Sequence, residues 1–251
     1  MDFEALVFLA IFGFIGAFID AAVGGGGLIT IPALMWTGLP PVIVLGTNKV
    51  AASMGSVFSF LTFVRAGKMD TSLMKKLCPL SFIGSLAGVI LVQFISSEFL
   101  RPLIIVMLIL VFFYTLFKKD WGKDAKPQAI TGKKMLLCLI MAFALGFYDG
   151  FFGPGTGSFI LFGFIMIGFD FIFATGNAKA MNFASNIAAA ILFSCLGCVN
   201  FSYAIPMGVF MILGAIAGSK VAISKGVSYI RPLFIIVTAV LIGKQLLTLI
   251  G

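Results

Sequence analysis

The sequence predicts an all-α, polytopic membrane protein made of two inverted-topology repeats, each a broken helical hairpin followed by three transmembrane helices. Three observations predict it: a composition too apolar for water, apolar runs of bilayer length, and polar and glycine positions that recur about half a chain later. Of 251 residues, 61% are hydrophobic, 29 are Phe and only 10% are charged, and the mean hydropathy is +1.18. A soluble domain carries about 25% charged residues to clothe its core, so most of this surface must face lipid. That excludes a soluble enzyme, an extramembrane receptor domain and a nucleic-acid-binding module. The net charge of +8 does not reopen the last class. Its basic residues sit in short loops between apolar runs, where they set orientation in the membrane.

Apolar runs cover 5–23, 28–36, 42–64, 77–95 and 100–117, then 135–152, 158–173, 175–197, 204–223 and 230–250. Most approach the ~20 residues that a helix needs to cross a bilayer. The runs 28–36 and 158–173 are the exceptions, and each follows a glycine-rich break, Gly24–Gly27 or Gly153-Pro154-Gly155-Thr156-Gly157. Asp2 and Glu4 stand where a cleavable signal carries Lys or Arg, so the first run is expected in the mature chain.

The two breaks belong to a repeat. At an offset of 130, Gly27 matches Gly157, Gly46 matches Gly176, Lys49 matches Lys179, Gly84 and Gly88 match Gly214 and Gly218, and Arg101-Pro102-Leu103 matches Arg231-Pro232-Leu233. At an offset of 129, Phe18, Asp20, Gly24 and Gly26 match Phe147, Asp149, Gly153 and Gly155. Matched Leu or Ile would mean little in so apolar a chain, whereas Asp, Lys and Arg-Pro are costly to place in a membrane. The reading is a first membrane repeat at 1–117, a cytoplasmic connecting loop at 118–134 and a second repeat at 135–251.

Orientation follows from the loops. Arg65, Lys68, Lys75 and Lys76 lie in one, and Lys118, Lys119, Lys123, Lys126, Lys133 and Lys134 in another, two crossings away. If 135–173 enters and returns as a broken hairpin, the later cluster of Lys220, Lys225 and Arg231 shares their side, leaving only Arg101 of the loop basics opposite. The positive-inside rule makes that shared side cytoplasmic. Three full crossings per repeat is an odd number, so the halves point in opposite directions and both termini lie outside.

Irregular backbone within a membrane must line protein or a watery cavity. Breaks flanked by half-helices, occurring twice in opposite orientation, point to a secondary transporter's midplane site. Half-helix N-termini offer free N–H groups and positive dipole ends, so the expected solute is a small anion, held at Gly24, Gly25, Gly26, Gly27, Gly153, Gly155, Thr156 and Gly157. Gly24–Gly27 lacks the Lys-Ser/Thr ending of a nucleotide-binding loop. Lys49 and Lys179 fall within uncharged segments, beside Thr47-Asn48 and Asn177-Ala178. An ammonium in a membrane costs ~2.5–3.5 kcal/mol on lenient scales and marks a functional candidate. Asn182, Ser185 and Asn186 extend the Lys179 face at helical spacing. Asp20 and Asp149, just before the breaks, are open to three roles: proton carriers, counter-ions to Lys49 and Lys179, or half-helix caps. Lys244 reads as a snorkelling side chain. Gly84-x-x-x-Gly88 and Gly214-x-x-x-Gly218 read as helix-packing stripes.

No cofactor or metal is expected. The chain has no His, and Cys78, Cys138, Cys195 and Cys198 all lie in apolar stretches, so neither a zinc site nor a Ser-His-Asp triad can be built. Cys195-x-x-Cys198 reads as a pair of small packing residues.

Two blocks then carry a resemblance. The first is Gly13–Pro32 with its Asp20 and four glycines, followed by Gly46-Thr47-Asn48-Lys49; the second is Gly146–Phe159, followed by Asn177–Asn182 and Ser185-Asn186. With the Arg101-Pro102 and Arg231-Pro232 pairs, they resemble the TauE/SafE family of sulfite and organosulfonate exporters, nearest its YfcA-like branch, over essentially the whole chain. The chain departs from that branch at Ala178, where a longer polar residue occurs. The resemblance implies a permease of the bacterial cytoplasmic (inner) membrane that moves small sulfur-containing anions outward, driven by the proton gradient. A passive anion channel, a carrier of another small solute including a cation, and an intramembrane enzyme are the competing classes. Expected partners are the anion and membrane lipid, with no nucleic acid. Phe-rich outer faces and small-residue stripes permit a homodimer.

Overall fold

The computed structural model describes residues 3–117 and 132–225. Those residues form nine helices and no strand: α1 (Phe3–Val23), α2 (Gly27–Met35), α3 (Pro41–Arg65), α4 (Thr71–Gln93), α5 (Ser97–Phe117), α6 (Lys133–Phe151), α7 (Thr156–Ile167), α8 (Phe171–Cys195) and α9 (Phe201–Lys225). Six of them, α1, α3, α4, α5, α6 and α9, are long and apolar enough to cross a membrane. Most of the expected 118–134 loop, and the run 230–250 with Arg231-Pro232 and Lys244, lie outside the described residues.

Local chemistry sets where the helices begin. α3 starts at Pro41, whose missing N–H is no loss in a first turn. α8 starts behind Asp170, whose carboxylate accepts from the N–H groups of Ile172 and Phe173 at 3.0 and 3.1 Å. Pro40 and Asp170 are one repeat apart, so one boundary is made by two chemistries. Asp70 caps α4 through Leu73 N–H at 3.0 Å, and its repeat partner Asn200 does the same for α9 through Tyr203 N–H at 3.2 Å. These caps correct the sequence-based boundaries. The run expected at 77–95 begins at Thr71, so Lys75 and Lys76 ride on α4 rather than in a loop. The runs expected at 158–173 and 175–197 part instead at Gly168, a left-handed helix end, with Asp170 opening the next helix. Cys195 also differs from expectation: as the last residue of α8 it is exposed rather than packed, and all four cysteines are free. Burial pushes the Cys198 thiol up, away from the thiolate that redox chemistry needs.

The halves interleave. α1 packs along α9 and α6 along α4, α3 packs along α9 and α8 along α4, and α3 meets α8 at the centre. With α1–α4 matched to α6–α9, exchanging the halves maps each of these contacts onto another or onto itself. The small-residue stripes allow the closest approaches. Gly84 and Gly88 lie against the carbonyls of Phe143 and Phe147 on α6, and Gly214 and Gly218 against those of Phe14 and Phe18 on α1, with no room for a Cβ.

The turns latch the halves further. Asp70 N–H donates to Asn177 Oδ1 at 2.9 Å, and Asn200 N–H to Thr47 Oγ1 at 2.9 Å. Gly176 sits on the Lys68 carbonyl and Gly46 on that of Cys198. The start of each central helix thus lies beside the end of the other, so α3 and α8 are antiparallel. The outer faces carry exposed Phe, Leu and Ile such as Ile83, Ile90, Leu137 and Ile140, as lipid contact requires.

Gly88→Leu should destabilise the protein in detergent by about 1–3 kcal/mol, the usual range for overpacking, because the added side chain meets α6 backbone. Ile90→Ala on the exposed face of the same helix should leave the thermal midpoint nearly unchanged. Melting both purified variants checks this.

Candidate functional site

Each hairpin turns on glycines because nothing else fits. Gly24 (φ +77°) and Gly153 (φ +96°) adopt left-handed backbone, a region that side chains avoid. A Cβ on Gly24 would also overlap the backbone of Gly157 and Ser158, and Gly27 lies against Pro154. The two breaks are therefore in contact, one hairpin tip against the other. Ser158 Oγ donates across this junction to the Val23 carbonyl at 2.9 Å. Within the second break, Tyr148 donates to the Pro154 carbonyl at 2.7 Å and Thr156 Oγ1 to that of Gly153 at 2.8 Å.

The two ammonium groups pair crosswise between repeats. Lys49 Nζ on α3 lies 2.8 Å from Asp149 Oδ1 on α6, and Lys179 Nζ on α8 lies 2.9 Å from Asp20 Oδ2 on α1. The surroundings differ. The Lys49–Asp149 side chains are 3% and 2% exposed; Lys49 also donates to Asn186 Oδ1 at 3.1 Å, and Ser185 Oγ donates to Asp149 Oδ2 at 2.6 Å. Lys179 is 1% exposed and Asp20 23%; Lys179 donates to the backbone carbonyl of Asp20 as well as to its carboxylate. The second oxygen of that carboxylate accepts from Gly26 N–H at 3.1 Å. Of the three roles open to the aspartates, Asp20 thus serves as counter-ion and as cap of the first break, and Asp149 as counter-ion without a cap.

Between these groups lies a partly enclosed cavity. Gly25, Gly26 and Gly27 wall it on one side and Gly153, Gly155 and Gly157 on the other, with Asp20, Asn48, Lys49, Asp149, Asn182 and Asn186 reaching it. The Oδ1 of Asn48 is buried without a hydrogen-bond partner, a polar group left over for whatever enters.

Five other candidates have their contacts elsewhere. Gly24 packs on α7, Thr47 and Asn177 hold the turns, Thr156 closes its own break, and Lys179 is enclosed by Asp20. Conversely, Thr30, Gly55, Ser56, Ser59, Met211 and Ala215 line the cavity and were not singled out from sequence. Ser56 and Ser59 follow Lys49 at offsets of seven and ten on one helical face, a spacing that would have found them. Among the described residues, no group of three Cys, Asp or Glu gathers to hold a metal ion.

The cavity lies against α3 and α9 and does not reach α4. On α3 it runs from Asn48 to Ser59, about 16 Å of helix, toward the end that carries Arg65 and the Lys68 turn. The matching seam between α8 and α4 is shut: Ser81 and Ser85 on α4 donate to the carbonyls of Met181 and Ser185 on α8, at 3.1 and 2.7 Å. Met211 and Ala215, the repeat partners of those two serines, have no hydroxyl, and the α3–α9 seam is bonded instead by Ser59 and Ser219, whose buried hydroxyls lie 2.7 Å apart.

With this geometry in place, comparison with known proteins gives the chain its relatives. A family model described as sulfite exporter TauE/SafE matches residues 9–244. The probable membrane transporter protein YfcA of Escherichia coli (strain K12) is 38% identical over 92% of this chain and 86% of its own length. A probable membrane transporter protein of Haemophilus influenzae is 37% identical over 98% of this chain and 95% of its own length. A sulfite exporter TauE/SafE family protein of Arabidopsis thaliana is 28% identical over 54% of this chain and 30% of its own length. No solved structure matches.

Lys49→Met should cost about 3–5 kcal/mol of stability by leaving the Asp149 charge buried alone, whereas Lys49→Met with Asp149→Leu should recover most of the loss. Thermal unfolding of the two purified variants in detergent checks the pairing.

Proposed function

The chain belongs to the sulfite exporter TauE/SafE family of membrane transporters, and on that premise we propose that it is a secondary carrier that exports small anions, sulfite or organosulfonates, by proton-coupled alternating access. It is a membrane transporter, not an enzyme. The observation that carries the reading is the cavity itself: a buried ammonium and two glycine-lined half-helix starts meet in one partly enclosed space. Each favours negative charge. Glycine brings backbone amides close to a solute, the first helical turn concentrates free N–H groups, and Lys49 supplies full charge in a low-dielectric setting. The choice of a sulfur oxyanion comes from the family.

Seams that are bonded on both sides of the cavity favour a carrier over an open pore. Ser81 and Ser85 bond the α4–α8 seam, and the buried hydroxyls of Ser59 and Ser219 bond the α3–α9 seam at the far end of the cavity. Opening these seams in turn would carry the solute past a fixed midplane site. The antiparallel α3 and α8 support inverted halves. Under the positive-inside rule the Arg65–Lys68 end of α3, toward which the cavity extends, is cytoplasmic. The proposed location is the bacterial inner membrane with both termini outside.

Purified protein in liposomes should move labelled sulfite, and a trans pool of sulfite should accelerate that flux, as a carrier requires and a channel does not. Lys49→Ala should reduce the flux at least about tenfold while the protein still folds. Unchanged flux would remove Lys49 from the site.

A further inference from the structure

We propose that Asp149 is a built-in substitute for the transported anion: it neutralises Lys49 in the empty carrier and gives the ammonium up when the solute binds. The inference rests on the reading of the protein as an anion carrier and assigns one ion pair a role that the other lacks.

The argument starts from how many partners each ammonium has. Lys49 carries three N–H donors. One goes to Asp149 Oδ1 and one to Asn186 Oδ1, and the group borders the cavity. An entering anion therefore meets a cation that is already neutralised. Two anions around one ammonium in a low-dielectric site repel each other, so the solute binds well only if Asp149 yields. The structure gives Asp149 somewhere to stay. Its second oxygen is held by the Ser185 hydroxyl at 2.6 Å, a contact that does not involve Lys49 and can persist when the ammonium swings to the solute. Neither oxygen of Asp149 accepts from the glycine break, so releasing Lys49 leaves the hairpin intact.

The Lys179–Asp20 pair is built the other way. Lys179 does not border the cavity. It is bonded to both the backbone carbonyl and the carboxylate of Asp20, and that carboxylate also caps Gly26. Opening this pair would cost two bonds, one of them to backbone at the foot of the first break. One pair is a brace and the other is exchangeable, although repeat symmetry makes them equivalents.

The consequence concerns the empty carrier. To return for a second load it must rearrange with no anion on board, and an unpaired ammonium within the membrane opposes that step. With Asp149 on Lys49 the empty site is neutral and the return is open. Removing the Asp149 charge should therefore spare loaded–loaded exchange relative to net transport.

The test uses the full chain in liposomes with labelled sulfite, measuring exchange against internal sulfite and net efflux into sulfite-free buffer. Asp149→Asn should lower the ratio of net efflux to exchange at least about tenfold, and Asp149→Glu should restore it. Asp20→Asn should lower both fluxes together. An unchanged ratio in Asp149→Asn, or an equal fall of the ratio in Asp20→Asn, overturns the proposal. A wild-type protein that exchanges no sulfite overturns the carrier reading and this inference with it. If Asp149→Asn does not fold, infrared difference spectra of the wild type decide: sulfite should perturb a carboxylate stretch that moves in Asp149→Glu, and a spectrum without that band overturns the proposal.

Discussion

A charge inside a membrane is tolerated only when another group answers it, and in this protein the answers come from the opposite repeat. Lys49 of the first half is held by Asp149 of the second, and Lys179 of the second by Asp20 of the first. Much of the architecture follows from that crossing. Each central helix is tied to the hairpin of the other half, which brings the two glycine breaks into contact and sets a cavity between them. The glycine stripes on α4 and α9 then let α6 and α1 close in backbone to backbone, which long side chains would forbid. What each repeat lacks alone, the other provides.

The duplication is nonetheless unequal. Asp20 caps a break while Asp149 does not. Ser81 and Ser85 bond one seam, where Met211 and Ala215 stand at the corresponding places of the other, and Ser59 and Ser219 bond that other seam, where Ala189 and Val89 stand in the first. Perfectly matched halves would give two conformations of equal energy, each the image of the other. Hydroxyls on both seams, each worth about 0.5–1.5 kcal/mol as a hydrogen bond, make the two arrangements unequal.

The polar and glycine residues were legible because they are expensive in lipid: Asp, Lys and spaced Gly recurring at fixed offsets announced a duplicated fold and two breaks before any coordinates. The partners of those charges were not legible. Sequence offers Asp20 either lysine, and only the packing of α1 against the far half selects Lys179. Thr47 and Asn177 stood out as polar residues beside a lysine, yet each holds a turn of the opposite repeat, a contact across more than a hundred residues that no local pattern encodes. Ser56 and Ser59 went unnoticed for the opposite reason, since hydroxyls are common on membrane helices and their significance comes from facing the α9 seam. Helix starts erred where a capping side chain, Asp70 or Asp170, outranked the apolar period that follows it.

The interleaving of the halves also bears on how the molecule is made. Lys49 leaves the ribosome 100 residues ahead of Asp149, the difference of their positions, which at 5–20 residues per second is a wait of roughly 5–20 s. During that interval the newborn first half sits at the insertion machinery with an unanswered cation and a bare glycine seam. Its segments must linger beside a protein-lined or watery path until their mates arrive, so assembly waits for the whole chain. Synthesis order, as much as equilibrium, then shapes which substitutions in α3 the cell can tolerate.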